Sequence, residues 1–299
     1  MWTRRRFLQS SSLAVAAMTC LPAEASPAKG PLGRPIGLQI YTVREAAAKD
    51  LPGTLKAIAD IGYTELELAG PARPVSEMRA LLADTGLSIP SMHANMADLQ
   101  AHAQQRVDYA KELGVRHLVC SFPSTADARS IPTGSLGAGM TLDDWKWNAE
   151  QLNRFGELAR KAGVRFGYHN HNIEFRSFNG VPAFDELLRL TDPTLVSFEL
   201  DIAWVVTAGQ DPAAYLKKYA NRITQLHVKD VRKDLRVTTE LQAQTTEVGS
   251  GAIDWKALFA AADPKHIQHC YVEQENFDRS PLESIRISFD YLSRLGAAS

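Results

Sequence analysis

Cysteine is scarce in this chain: three residues in 299, at positions 20, 120 and 270. So few cysteines exclude a disulfide-stapled scaffold. Cys120 and Cys270 each lie inside an apolar, strand-like run, where a buried thiol is expected ahead of a disulfide or a nucleophile. Excess charge is also missing, with 33 Lys and Arg against 34 Asp and Glu. Without a basic excess there is no electrostatic footprint for nucleic acid. Past the first 25 residues no stretch is apolar and long enough to span a membrane. The first strand-like segment runs into Tyr41-Thr42-Val43-Arg44 with no glycine-rich phosphate loop. That absence argues against a doubly wound nucleotide-binding sheet.

What is present begins with an address. Thr3-Arg4-Arg5-Arg6-Phe7-Leu8, a short apolar stretch over 13–18 and Ala23-Glu24-Ala25 resemble a twin-arginine export signal, with cleavage after Ala25. The apolar stretch is too short to span a bilayer comfortably. Cys20 raises a lipoprotein alternative, for which Ala17-Met18-Thr19 is a poor lipobox. The expectation is a periplasmic protein with a signal peptide over 1–25, a linker over 26–32 and one domain over 33–296. Removal of three Arg and one Glu with the leader gives a net charge of −3. Export of a folded chain suits a metal loaded before translocation.

Strand-like and helix-like segments alternate along the rest. Strands are expected at 36–41, 63–68, 87–93, 115–121, 164–169, 195–201, 223–229 and 267–273. Helices are expected at 51–61, 75–85, 97–113, 142–162, 183–190, 212–220, 253–262 and 281–295. Helical apolar spacing marks the first helix at Leu51, Leu55, Ile58 and Ile61. Gly62, Gly86, Gly114 and Gly163 stand at helix stops. Eight such units of roughly 30 residues predict a single (β/α)8 barrel. Its two long strand-to-helix connections, 122–140 and 231–250, then lie on the rim that carries active sites.

Residues with metal chemistry cluster at the expected strand ends. Asp201 ends the apolar run 195–200, His227 follows 223–226, and Glu273 follows 270–272. Singly these suit a helix cap, a core histidine and a paired carboxylate. Together, on consecutive strands, they suggest ligands. His169 and His171 share one face of an extended segment, so one can ligate while the other touches substrate. Glu174 lies further into that loop, with a substrate-contacting or supporting role. Gln39, Glu67 and His93 are polar where a barrel interior would favour Val or Leu, and are expected to meet substrate hydroxyls; an outward ion pair is the alternative for Glu67. Trp204 and Trp255 are candidate platforms for a sugar ring. Trp145 and Trp147 are expected to pack the fourth helix. Lys229 is placed either to stabilise an oxyanion or to pair with Asp230 or Glu247, and Glu247 is counted among the substrate contacts.

Residues 36–44, 65–70, 168–175 (YHNHNIEF), 198–212 (FELDIAWVVTAGQDP), 227–230 (HVKD), 246–255 (TEVGSGAIDW) and 271–292 (YVEQENFDRSPLESIRISFDYL) resemble the sugar phosphate isomerase/epimerase family, which has a xylose-isomerase-like barrel. The resemblance implies one divalent metal, often manganese, with Zn2+, Mg2+ or Co2+ as alternatives. It implies a ligand set of Glu, Asp, His and Glu at the ends of strands five to eight. Asp201, His227 and Glu273 match the last three, and His169 stands where the first Glu is typical. In the family's keto-sugar epimerases two glutamates move the proton, so the histidine departs from that mechanism. His169, His171 or Glu174 would have to take the second part.

The resulting expectation is a sugar isomerase or epimerase acting by proton transfer beside a carbonyl, through an enediolate stabilised by the metal, with Glu273, His169, His171 and Lys229 as the catalytic group. The runner-up is a lyase or hydrolase on 3-keto-glycosides, or a keto-inositol dehydratase, at the same site. A non-catalytic sugar-binding barrel is the third reading. The expected ligand is a small sugar or keto-glycoside, with no nucleic acid partner and a possible homo-oligomer.

Overall fold

The computed structural model describes residues 29–298. The expected leader, residues 1–25, lies outside them. Eight parallel strands close into a barrel: β1 (Ile36–Gln39), β2 (Glu65–Leu68), β3 (Ser88–Ala94), β4 (His117–Cys120), β5 (Arg165–His169), β6 (Val196–Asp201), β7 (Ile223–Val228) and β8 (His269–Val272). Each strand pairs with its neighbours in sequence. The ring closes where Ile36 registers with Cys270 and Leu38 with Val272. This is the (β/α)8 barrel expected from the alternation.

Local chemistry explains the helices. Helix Leu51–Ile61 starts where the Asp50 side chain accepts from the Gly53 N–H, and it buries Leu51, Leu55, Ile58 and Ile61 against the barrel. Helix Leu142–Ala162 opens with a capping box between Thr141 and Asp144 and stops at Gly163, which has φ 79°. Cys120 and Cys270 are buried and free. Trp145 is fully buried in the core, and Trp147 packs against it.

Four expected C-terminal strand ends move inward, at β1, β4, β7 and β8, and two of them bear on the site. β1 stops at Gln39 because that side chain accepts from the Tyr41 N–H at 3.1 Å, which turns Ile40–Val43 into a 3-10 helix. β8 stops at Val272, so Glu273 leaves the ladder just at the rim.

The barrel has two unlike faces. Residues such as Leu38, Leu66, Met92, Leu118 and Leu226 are fully buried in the apolar core. The alternate positions carry polar groups that reach one another across the lumen. His227 on β7 meets Glu67 on β2 at 2.6 Å, and Gln225 on β7 meets Ser91 on β3 at 3.1 Å. An outward ion pair for Glu67 is thereby corrected: its carboxylate is fully buried inside the barrel. Gly37 of β1 has no room for a side chain, since a Cβ there would lie 2.5 Å from the Tyr271 ring.

The two long connections dock on each other at the rim. The Gly137 N–H donates to the Glu240 carboxylate at 3.1 Å, and Arg176 donates to the Gly137 carbonyl at 2.7 Å. Asn172 then ties the second connection to the loop after β5, donating to Thr238 and Glu240 carbonyls at 2.9 and 2.8 Å.

Candidate metal centre

Residues from β5 to β8 converge at the C-terminal rim. His169, Asp201, His227 and Glu273 each bring one donor atom into a group whose members lie within 4.8 Å of one another. All four residues are buried. His227 sits at the centre. Its Nδ1 is 2.9 Å from Glu273 Oε2 and 3.7 Å from Asp201 Oδ2. Its Nε2 points the other way, 2.6 Å from Glu67 and 3.1 Å from Glu199.

Beneath this group lies a second set, His93, His169, Glu199 and His227, which shares two histidines with the first. Glu199 Oε2 is 2.7 Å from His93 Nε2 and 3.1 Å from His169 Nδ1. Its other oxygen accepts from Gln225 at 2.8 Å. Glu67 accepts from Gln39 at 2.9 Å and from Ser91 at 2.5 Å. Glu67 and Glu199 thus form a carboxylate floor under the histidines, the arrangement that fixes ring orientation in metal sites.

The charges sort by these contacts. Burial alone would raise Glu67 and Glu199, yet the neighbouring His227 and His93 outweigh it and hold both carboxyls well below their usual range. Burial acts to lower His93, but Glu67 and Glu199 lift it to about 9. His227 is raised by the same two carboxylates against burial. His169 is depressed, chiefly by burial and then by His227, and burial brings His171 down to about 3. Neutral imidazole is the form that ligates a metal.

A divalent cation fits this donor set. Two carboxylates and two imidazoles form a mixed oxygen–nitrogen group suited to Mn, Zn or Co. Asp201 Oδ2 is buried and accepts no hydrogen bond. The nearest positive charge is Lys229, whose Nζ lies 3.0 Å from that oxygen, 2.7 Å from Glu273 and 3.0 Å from Glu275. Burial would raise Glu273, yet Lys229 and His227 hold it well below the normal range, while burial lifts Glu275 to about 7.

A cavity of about 450 Å³ opens above the cluster. Gln39, His93, His169, His171, Trp204 and Glu273 all reach it. Leu241 and Ala243 of the second long connection also line it. The Lys229 ammonium lies 5.1 Å from the Trp204 ring centroid.

Several expected contacts lie elsewhere. Lys229 pairs with neither Asp230 nor Glu247. Asp230 instead accepts from the Gly249, Gly251 and Ile253 N–H groups and from the Trp255 indole. Trp255 is therefore a fully buried structural residue and not a sugar platform. Glu247 is tied to Ser284 at 2.8 Å and Arg279 at 3.2 Å, outside the residues that line the cavity. Glu174 is likewise turned away. It accepts from the Tyr168 hydroxyl at 2.6 Å and the His171 N–H at 2.9 Å, and so shapes the loop that presents His171.

Glu199, Glu275, Gln225 and Ser91 were not singled out from the sequence. A signal existed for each: they lie two residues from Asp201, Glu273, His227 and His93, on the same face of a strand or its extension.

Residues 55–295 match the family described as xylose isomerase-like TIM barrel. Inosose dehydratase of Clostridium tetani is 36% identical over 129 residues, 40% of this chain and 43% of that protein. The chain thus spans less than half the length of that relative. Inosose dehydratase of Geobacillus kaustophilus is 25% identical over 284 residues, 82% of this chain and 90% of that protein. A crystal structure of a sugar phosphate isomerase/epimerase from Parabacteroides distasonis superposes with a TM-score of 0.71 at 27% identity, covering 93% of this chain and 98% of that one.

Proposed function

We propose that this chain, which belongs to the xylose isomerase-like TIM barrel family, removes the proton beside the ketone of a cyclic keto-sugar and expels the oxygen substituent on the next carbon. The observation that carries this reading is the one-sidedness of the site. Glu273 is the single carboxylate of the four-residue group that lines the cavity. Across from it, at the end of β5, stands His169, a buried imidazole of depressed basicity. One carboxylate base in the four-residue group, faced by an imidazole and not by a second carboxylate of that group, suits an elimination, in which the proton leaves and need not return on the opposite face. The dehydratase names of the relatives point the same way.

A divalent cation held by His169, Asp201, His227 and Glu273 supplies Lewis-acid polarisation of the carbonyl when bound. Glu273 takes the proton from the carbon beside the ketone. The C–H electron pair becomes a C=C bond as the C–O bond to the leaving group breaks. Glu275 lines the cavity and has Oε2 without a hydrogen-bond partner, so it is placed to give the leaving oxygen its proton. Lys229 holds both glutamates in register. The products are an unsaturated ketone and water or an alcohol, with no change of oxidation state overall.

Epimerisation is the second reading, favoured by the name of the P. distasonis neighbour; in it His169 returns the proton. Export, directed by residues 1–25, belongs to the same proposal and agrees with a neutral substrate. Chromatographic separation with mass spectrometry of products from an inosose and from a 3-keto-glucoside, with protein loaded with Mn(II), separates the readings. Loss of water or of the aglycone supports elimination. A product of unchanged mass and inverted configuration supports epimerisation. Unreacted substrate in both cases contradicts both.

A further inference from the structure

A second cavity of about 440 Å³ adjoins the first, and Tyr41 and Ala69 line both. It extends from the substrate cavity outward over the start of the first helical segment. Its walls are largely aliphatic, with Ala47, Leu51 and Pro71 among them, and its charged groups are Arg44 and Arg73. Tyr41 remains 44% exposed, one of three large hydrophobic side chains so exposed among the described residues. The Arg44 guanidinium is stacked 4.5 Å from the Tyr41 ring centroid and also donates to the Tyr41 carbonyl at 3.1 Å. The ring is thus held in place at the junction of the two cavities.

A second sugar ring would need several hydrogen-bonding side chains, and this cavity has few. An aromatic group needs apolar walls and a ring to pack on, with a guanidinium beside its π-face or a polar substituent. We propose that this cleft binds the aromatic aglycone of a 3-keto-glycoside while the keto-sugar ring occupies the metal cavity. The inference rests on the elimination reading above and narrows its substrate class. In such a substrate the ketone at C3 activates the proton at C2, and the aglycone oxygen at C1 leaves. The junction at Tyr41 and Ala69 is where the bond to the aglycone would cross.

The test compares three 3-keto-glucosides, with p-nitrophenyl, methyl and glucosyl aglycones, on protein loaded with Mn(II). KM is measured for wild type, Tyr41→Ala and Ala48→Trp. Ala48 is exposed and lines the outer cavity alone, so a tryptophan there fills the cleft and leaves the metal cavity intact. The proposal expects KM for the p-nitrophenyl compound to rise about tenfold in Tyr41→Ala, the size of one aromatic contact. It expects a larger rise in Ala48→Trp and an unchanged KM for the methyl compound in that variant. Equal effects on all three compounds overturn the cleft and leave the elimination reading standing. A selective effect on the glucosyl compound overturns the aromatic assignment. No turnover of any compound by wild type overturns both the cleft and the elimination reading.

Discussion

The ammonium of Lys229 is completely buried and lies 2.7 Å from Glu273 Oε2. The same nitrogen reaches Asp201 and Glu275, so one cation compensates three carboxylates inside the barrel mouth. Two of those carboxylates belong to the candidate metal group.

Lys229→Met therefore removes a cation shared by three acids and leaves His227 to face Asp201 and Glu273 without it. The expected cost is about 3–5 kcal/mol of stability. Divalent metal restores part of it by supplying positive charge to Asp201 and Glu273. Thermal unfolding with chelator and with Mn(II) checks this. The variant melts lower than wild type in chelator, and metal raises its melting point more than it raises that of wild type.

Glu199→Gln tests the floor of the site. The substitution keeps size and removes the charge that orients His93 and His169. Metal affinity, read by competition with a chromogenic chelator, is expected to fall about 10–100-fold. Asp201→Asn is expected to fall at least as far. Retention of metal in Asp201→Asn, with loss in Glu199→Gln, would place the ion in the deeper set of His93, His169, Glu199 and His227.

Glu199 also marks how far the sequence could be read. Apolar periodicity and helix-stop glycines carry the barrel, because each βα unit is locally encoded: helix Leu142–Ala162 falls on the span its spacing predicts. Strand-end residues are legible because a charge closing an apolar run stands out. Glu199 lies inside such a run, where its polarity is offset by Phe198 and Leu200 on the opposite face. The interior of this barrel is polar because Glu67, Glu199, His93 and His227 satisfy one another across four strands. Pairings between residues as far apart as 67 and 227 leave no local trace. The same holds for Glu247 and Trp255, whose partners Ser284 and Asp230 are distant in sequence.

Asp230 anchors the stretch 246–255 by accepting from three N–H groups and the Trp255 indole. A Cβ at Gly251 would lie 2.1 Å from the Val231 carbonyl, so the loop closes tightly on it. Asp230→Ala strands the buried Trp255 indole N–H and three part-buried backbone N–H groups, and is expected to cost about 3 kcal/mol or more. Urea unfolding measures the loss. A loss below about 1 kcal/mol would show that solvent replaces these bonds.

At the opposite end of the barrel, His117 is buried beside His269, their ring centroids 5.5 Å apart. Burial, then His269 and Arg165, depress His117 to about 3 from 6.5. The folded state refuses a proton that the unfolded state accepts. Its contribution is present above pH 6.5 and is lost as pH falls toward 3, by up to about 1.4 kcal/mol per pH unit. His117→Gln is expected to flatten the fall in urea midpoint between pH 6.5 and 4. An unchanged slope would assign that acid sensitivity to other groups.

The central claim is that Glu273 removes a proton beside a ketone. The direct measurement is deuterium uptake from D2O into a 3-keto-glucoside or an inosose, followed by mass spectrometry, with protein carrying one Mn(II). The account predicts deuterium exchange into the substrate or formation of the unsaturated product with wild type, and a rate lower by about 10²–10⁴-fold in Glu273→Gln. Absence of exchange and product from wild-type protein that holds its metal, or equal exchange in Glu273→Gln, would contradict it.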